Sequence, residues 1–326
     1  MVATGSSTLN RREVEQLVRE VLRQKLQSRA TPPPTREQHA VQQSRPGGPP
    51  HPLDTASGTI TFTDAANTLG TAALSGGQAA FLLSSPNIGA HSIMAVYSGD
   101  DSFLGSTSSA FTQTVNKASA TTVLSSSATQ STLGQAVTFS AAVSPLSPGA
   151  GTPSGTITFT DGANTLGTVP LNSSGSATIT ASALAVAAHP ITATYSGDNG
   201  FFGSNGSLTE NVSYAIRPLY DQTRSVNGGA AFPIQLYLCD VGGNDVSSAA
   251  ITLHVTQVTG GSGYSGGAAS PGNANPGGNF RLDASLGPAG GYIFNLKTTG
   301  LAPGRYTLQF TAGSDPVPHA ANFTVR

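Results

Sequence analysis

From residue 57 onward, apolar side chains recur at every second position. Ile157 and Phe159 alternate with Thr156, Thr158 and Thr160; Val137, Phe139, Ala141 and Val143 alternate with small polar neighbours; Ile191, Ala193 and Tyr195 alternate with threonine. A period of two sends successive side chains to opposite faces of a strand. Threonine suits the wet face, because its branched Cβ fits a pleated surface. Asp161-Gly162-Ala163-Asn164 reads as a turn between two such runs. The pattern predicts strands near 121–125, 136–143, 155–160, 165–170, 176–181, 190–196 and 207–213. Short strands at this spacing, with turn residues between them, predict an all-β fold of sandwich type.

The period changes to 3.6 at one place. Val14, Leu17, Val18, Val21, Leu22 and Leu26 follow the i, i+3, i+4, i+7 spacing of one helical stripe. Asn10 with Glu13 forms a capping-box variant, and Leu9 with Val14 is placed as a hydrophobic staple. An amphipathic helix is therefore expected within residues 1–29, and a lone helix must dock its stripe on a partner. Arg11, Arg12, Glu13, Glu15, Arg19, Glu20 and Arg23 interrupt any apolar signal-peptide core, and no run elsewhere is long enough to span a bilayer. Residues 30–56 hold Pro32-Pro33-Pro34, Pro46-Gly47-Gly48-Pro49-Pro50 and Pro52, which predicts a disordered, extended linker.

The chain also repeats itself. SGTITFTDAANTLGT from Ser57 and SGTITFTDGANTLGT from Ser154 differ only at Ala65 against Gly162. Tyr97-Ser98-Gly99-Asp100 matches Tyr195-Ser196-Gly197-Asp198, and Phe103-Leu104-Gly105-Ser106 matches Phe201-Phe202-Gly203-Ser204. A period of about 100 residues is a duplicated domain rather than a solenoid unit. With GTITFTDGANTLGTVPL (155–171), ATIT and HPITATYSGDNGFFGS (189–204), the chain resembles the bacterial immunoglobulin-like repeat family of secreted and surface proteins. The resemblance implies tandem immunoglobulin-like β-sandwiches. It implies that Tyr97 and Tyr195 are packing residues near a strand end rather than catalytic ones.

A complete repeat is expected over 118–213 and a truncated one over 57–117. The first copy begins at the equivalent of the third strand of the second, and its Pro-rich predecessor does not supply two strands. Residues 57–115 are therefore expected to form a partial sandwich or to accept strands from another chain. Residues 214–326 alternate again, with strands expected at Phe232–Leu238, Ile251–Val258, Tyr292–Lys297, Arg305–Thr311 and Ala321–Val325. The stretch 279–310, with FPIQL (232–236) and a closing FTVR, resembles the C-terminal β-rich module marked by a Pro-x-Lys-Phe stretch. Here Pro233-Ile234-Gln235-Leu236 replaces both Lys and Phe. Gly260–Gly278 reads as a long Gly/Ser/Asn loop, either functional or mobile.

Composition narrows the function. Only 10% of the 326 residues are charged, with 39 Gly, 21 Pro and no Trp, which argues against a mostly helical protein. Residues 1–53 carry eight Lys/Arg against four Asp/Glu, leaving seven and twelve for the rest, so the break near Leu53 separates two kinds of polypeptide. A net charge of −1 argues against a nucleic-acid binder, and a single cysteine against an intrachain disulfide. The six histidines have no HxxxH or HxH spacing, and His91 and His189 are repeat equivalents with a structural role. Cys239 reads as a small buried residue. No Walker loop is present and no GxGxxG lies between a strand and a helix, so no catalytic, cofactor or metal residue is assigned. Asp64, Asp100, Asp101, Asp161 and Asp198 lack the D-x-D-x-D spacing of a calcium loop and read as turn caps.

Two readings follow. One is a non-enzymatic surface or extracellular structural or adhesive protein, presenting loops to a protein or glycan partner. In the other, REVEQLVREVLRQKL (12–26) resembles the encapsulation peptides of bacterial microcompartments. Val14, Leu17, Val18, Val21, Leu22 and Leu26 would then dock on a cytoplasmic shell protein, on a helical partner or on their own kind. The three acidic residues of the helix weaken a membrane-surface reading.

Overall fold

The computed structural model describes residues 56–84, 86–101, 103–260, 263–269 and 274–326. The expected helix, with its docking stripe Val14, Leu17, Val18, Val21, Leu22 and Leu26, and the linker lie outside the described residues. Everything described is β-structure and turns, apart from one 3₁₀ turn at Pro276–Gly278. The fold is all-β, with tandem immunoglobulin-like sandwich architecture. The chain divides into two compact units: one runs up to Ala120 and includes Pro145–Pro153 and Gly197–Phe202, and the other holds Thr121–Ser144, Ser154–Ser196 and Gly203–Arg326.

The first copy supplies β1 (Thr59–Asp64), β2 (Asn67–Ala73), β3 (Gly89–Tyr97), β4 (Ser106–Thr107) and β5 (Phe111–Val115). They form one sheet in the order β2-β1-β3-β4, with β5 also paired to β3. The last strand is split, and Ser108 bridges the break: its N–H donates to Ala95 O (2.9 Å) and its Oγ accepts from Ala95 N (3.0 Å). Ile60, Phe62, Ala95 and Tyr97 point inward, as the alternation requires, and Phe81 stacks on Phe62 at 5.6 Å. Among the described residues no second sheet faces this one.

The second copy supplies β6 (Ala120–Ser126), β7 (Gln130–Thr132), β8 (Val137–Pro145), β9 (Thr156–Asp161), β10 (Asn164–Pro170), β11 (Ser176–Ala181), β12 (Ala187–Tyr195) and β13 (Ser204–Ser213). Two sheets result, β10-β9-β12-β13-β7 and β11-β8-β6. Val137, Phe139, Ala141 and Val143 of β8 are buried, as are Ile157, Phe159, Ile191, Ala193 and Tyr195 of the larger sheet. Each large side chain of that kind contributes roughly 1.5–3 kcal/mol. β7 is the one strand not anticipated; it adds in parallel to β13, Gln130 opposite Asn211.

Residues 215–325 supply β14 (Ala215–Pro218), β15 (Ser225–Val226), β16 (Ala231–Cys239), β17 (Leu253–Gly260), β18 (Tyr264–Gly266), β19 (Arg281–Asp283), β20 (Gly291–Lys297), β21 (Gly304–Ala312) and β22 (His319–Val325). The sheets β14-β16-β20-β19 and β15-β22-β21-β17-β18 enclose a core that includes Leu236, Phe294, Leu308, Phe310 and Phe323. The long strands match expectation. The four short ones do not, because two to four residues cannot display a period. Two described parts of the Gly-rich stretch are tied down. β18 folds back on β17, Val258 opposite Gly266, and Asn275 clips the loop to β20, donating to Asn295 O (2.6 Å) and accepting from Asn295 N (2.9 Å).

Candidate functional site

Titratable side chains of the two copies sit at matching places, and each ties a loop to a strand. In the first copy Asp100 caps the loop after β3. Its Oδ1 accepts from Phe103 N (2.7 Å), and its Oδ2 accepts from Ser57 N (2.7 Å) and Ser57 Oγ (3.0 Å). Tyr97, the last residue of β3, sets its Oη 2.7 Å from Ser57 O and 3.0 Å from Asp100 Oδ2. Burial, then the neighbouring carboxylate, pushes the Tyr97 hydroxyl above its ordinary value. In the second copy Asp198 Oδ1 accepts from Gly200 N (2.7 Å) and Phe201 N (2.8 Å). Tyr97 and Tyr195 are buried at the ends of β3 and β12.

His91 and His189 lie inside β3 and β12. His91 Nδ1 is 2.7 Å from Asp64 Oδ2, and its Nε2 is 2.7 Å from Asn87 O. His189 makes the same pair with Asp161 Oδ2 (2.7 Å) and Ala185 O (2.8 Å). Asp64 also accepts from Ser92 N (2.9 Å) through Oδ1. The hydrogen bond to Asp64, followed by that to Asn87, raises His91 above its ordinary 6.5, and the same histidine bond draws Asp64 below 3.8. These carboxylates lock the β1–β2 and β9–β10 turns onto the neighbouring strand, which is more than turn capping.

Further polar groups escape a reading by sequence alone. Glu210 is wholly buried; Oε2 accepts from Ser126 Oγ (2.9 Å) and Oε1 has no partner among the described residues. The alternation of Leu208, Glu210 and Val212 on β13 was the signal for it. Asp315 Oδ2 accepts from His319 Nε2 (2.7 Å) and Tyr214 N (2.9 Å), fastening the start of the third β-rich region. Cys239 is buried, and burial holds its thiol above the ordinary value, in the protonated form that makes a poor nucleophile. Asp101 takes no part in these clusters.

The chemistry available here is the fixing of loops. Among the described residues no three His, Cys, Asp or Glu side chains group to hold a metal ion, and no helix is long and apolar enough to cross a membrane. A family profile described as Bacterial Ig-like domain (group 3) matches residues 38–116 and 124–213. No curated relative matches the sequence. Similar solved structures include three N-terminal domains of the bacteriophage RB49 highly immunogenic outer capsid protein, at 11% identity over 86% of this chain and 91% of that one, TM-score 0.30. The Yersinia pseudotuberculosis adhesin InvE is similar at 17% identity over 63% and 58% of the two chains, TM-score 0.27. Clostridium thermocellum CbhA fibronectin(III)-like modules are similar at 12% identity over 63% and 94%, TM-score 0.22.

Proposed function

The chain belongs to the bacterial Ig-like domain (group 3) family, and from that premise we propose a non-enzymatic structural or adhesive role at the cell surface. In this reading 57–117 is a truncated repeat, 118–213 a complete one and 214–326 a further β-rich module. The sandwiches serve as rigid spacers, and their loops make contact with a protein or glycan. The observation that carries the reading is the use of the titratable groups. Asp64, Asp100, Asp161, Asp198, His91 and His189 hydrogen-bond backbone and strand partners, which presents loops at fixed positions.

The helical stripe Val14, Leu17, Val18, Val21, Leu22 and Leu26 favours a second reading, recruitment to a microcompartment shell or a helical partner. Localising a tagged full-length chain and one lacking residues 1–29 separates the two. The surface role expects protease-accessible tag on intact cells. Cytoplasmic tag with helix-dependent co-purification of shell protein overturns it in favour of recruitment.

A further inference from the structure

We propose that segment 79–84 of the first copy is a β-augmentation site that takes up a strand from another polypeptide. Its side chains alternate as a strand's do. Ala79 is buried, Phe81 and Leu83 are half-buried, and Ala80, Leu82 and Ser84 are exposed, Leu82 by 68%. The equivalent stretch of the second copy is β11, with the same alternation: Ala177 buried, Ile179 and Ala181 half-buried, Thr178 and Thr180 exposed. β11 is held by β8, with Ala177 opposite Ala141, Ile179 opposite Phe139 and Ala181 opposite Val137. Among the described residues segment 79–84 has no such neighbour. Pairing stops at the Ser75–Gln78 bridge, and among the described residues no backbone N–H or C=O of 79–84 joins a backbone hydrogen bond. Six consecutive residues thus alternate as a strand's do with neither edge paired among the described residues, which is what strand addition recognises.

The second copy shows what fits. Val143 N donates to Gly175 O (2.8 Å), so alternation directs the N–H groups of Ala177, Ile179 and Ala181 at β8. Ala79, Phe81 and Leu83 offer the equivalent groups in the first copy. The incoming strand must place apolar side chains at alternate positions, as Val137, Phe139, Ala141 and Val143 do. It must also be uncharged, since 79–84 offers no charge to meet one. The chain's own upstream sequence does not meet this chemistry. The positions equally far before the first copy are Ala40, Gln42, Ser44 and Pro46, and a one-residue shift gives Val41, Gln43, Arg45 and Gly47. That chemistry points to an occupant from a separate polypeptide. This inference does not depend on a surface location.

Amide hydrogen exchange on the isotope-labelled full-length chain tests it, with a synthetic peptide of residues 136–145 (AVTFSAAVSP) as the probe. Exchange at Ala79, Phe81 and Leu83 should slow at least about tenfold, as expected for amides entering a ladder. Leu83→Pro, which removes an N–H on the β8-like side, should abolish the effect. Ala80→Pro, which removes one on the opposite edge, should preserve it, and a peptide carrying Phe139→Asp should fail on the unaltered chain. No slowing at millimolar peptide overturns the proposal, as does equal loss in the two proline variants. Slowing only after deletion of residues 1–55 assigns the edge to the chain's own N-terminal segment. Protection that rises with protein concentration without peptide assigns it to a second copy. Either result refutes a separate partner.

Discussion

The one residue that distinguishes the two 15-residue repeats sits where the backbone is least tolerant. Ala65 has φ 49° and Gly162 φ 53°, and both donate equivalently, to Ser92 O and Pro190 O. A side chain in the left-handed region costs roughly 1–2 kcal/mol, of which glycine's unfolded freedom returns about 0.5–1. Ala65→Gly should therefore stabilise the first copy by about 0.5–1 kcal/mol, and Gly162→Ala should destabilise the second comparably, each read by local hydrogen exchange. His91 carries a different prediction. Both its ring nitrogens face groups that only accept, so the folded state favours imidazolium. Because His91 is raised from 6.5, its contribution is complete below that pH and is lost as pH rises through the folded value. Asp64, lowered from 3.8, contributes above that pH and is lost as pH falls through its own folded value. The first sheet should be most stable between these limits and weaken on the alkaline side. Melting of β3 amides against pH checks this, and His91→Gln should flatten the alkaline limb. Asp315, with Oδ2 committed to His319 and Tyr214 and Oδ1 to Val317 N, makes a third case. Asp315→Ala strands these donors and should cost about 2–4 kcal/mol in urea unfolding of the third β-rich region.

At the scale of elements, legibility followed length. β8, β9, β12, β16 and β21 run six to nine residues with clear alternation, so their existence and inward faces were readable from residues such as Phe139, Phe159 and Phe310. β7, β15 and β18 hold two or three residues, and partner strands rather than their own sequence define them. The repeat made His91 and His189 recognisable as structural, but their carboxylate partners lie 27 and 28 positions away and belonged to no local motif. Glu210 was missed because an acidic residue reads as outward, although its phase on β13 points in. Segment 79–84 shows the converse, a strand pattern without a ladder. Phe81 there takes the place of Ile179, and its ring lies so close over the sheet that a side chain at Gly70 would collide with it. Phe81→Ala should therefore cost the first copy about 2–3 kcal/mol, toward the low end for a phenylalanine because the ring is half-buried. Exchange of the β1 and β2 amides measures it.

Across the whole molecule these differences predict an order of unfolding. Among the described residues, the first sheet's main core cluster holds five buried residues, Ile60, Phe62, Ala79, Ala95 and Tyr97, with Ile93 and Val115 also buried, whereas the cluster of the third β-rich region holds seventeen, drawn mainly from two facing sheets. Burial is the main favourable term, and the chain entropy that opposes it grows with the residues ordered, so a one-sheet layer returns less per residue than a sandwich. Each core has its own contacts, so the chain should melt in more than one transition, and a single Tm is not defined for it. The first to melt should be residues 57–115, seen as early loss of protection in β1, β2 and β3 while β16, β20 and β21 remain protected. Exchange mass spectrometry along a temperature ramp reads this directly. Simultaneous loss in β1 and β21 would mean that the first sheet draws stability from beyond its own core. The early transition is also where a bound strand should act, because a ligand that binds only the folded form raises that transition and leaves the later one in place.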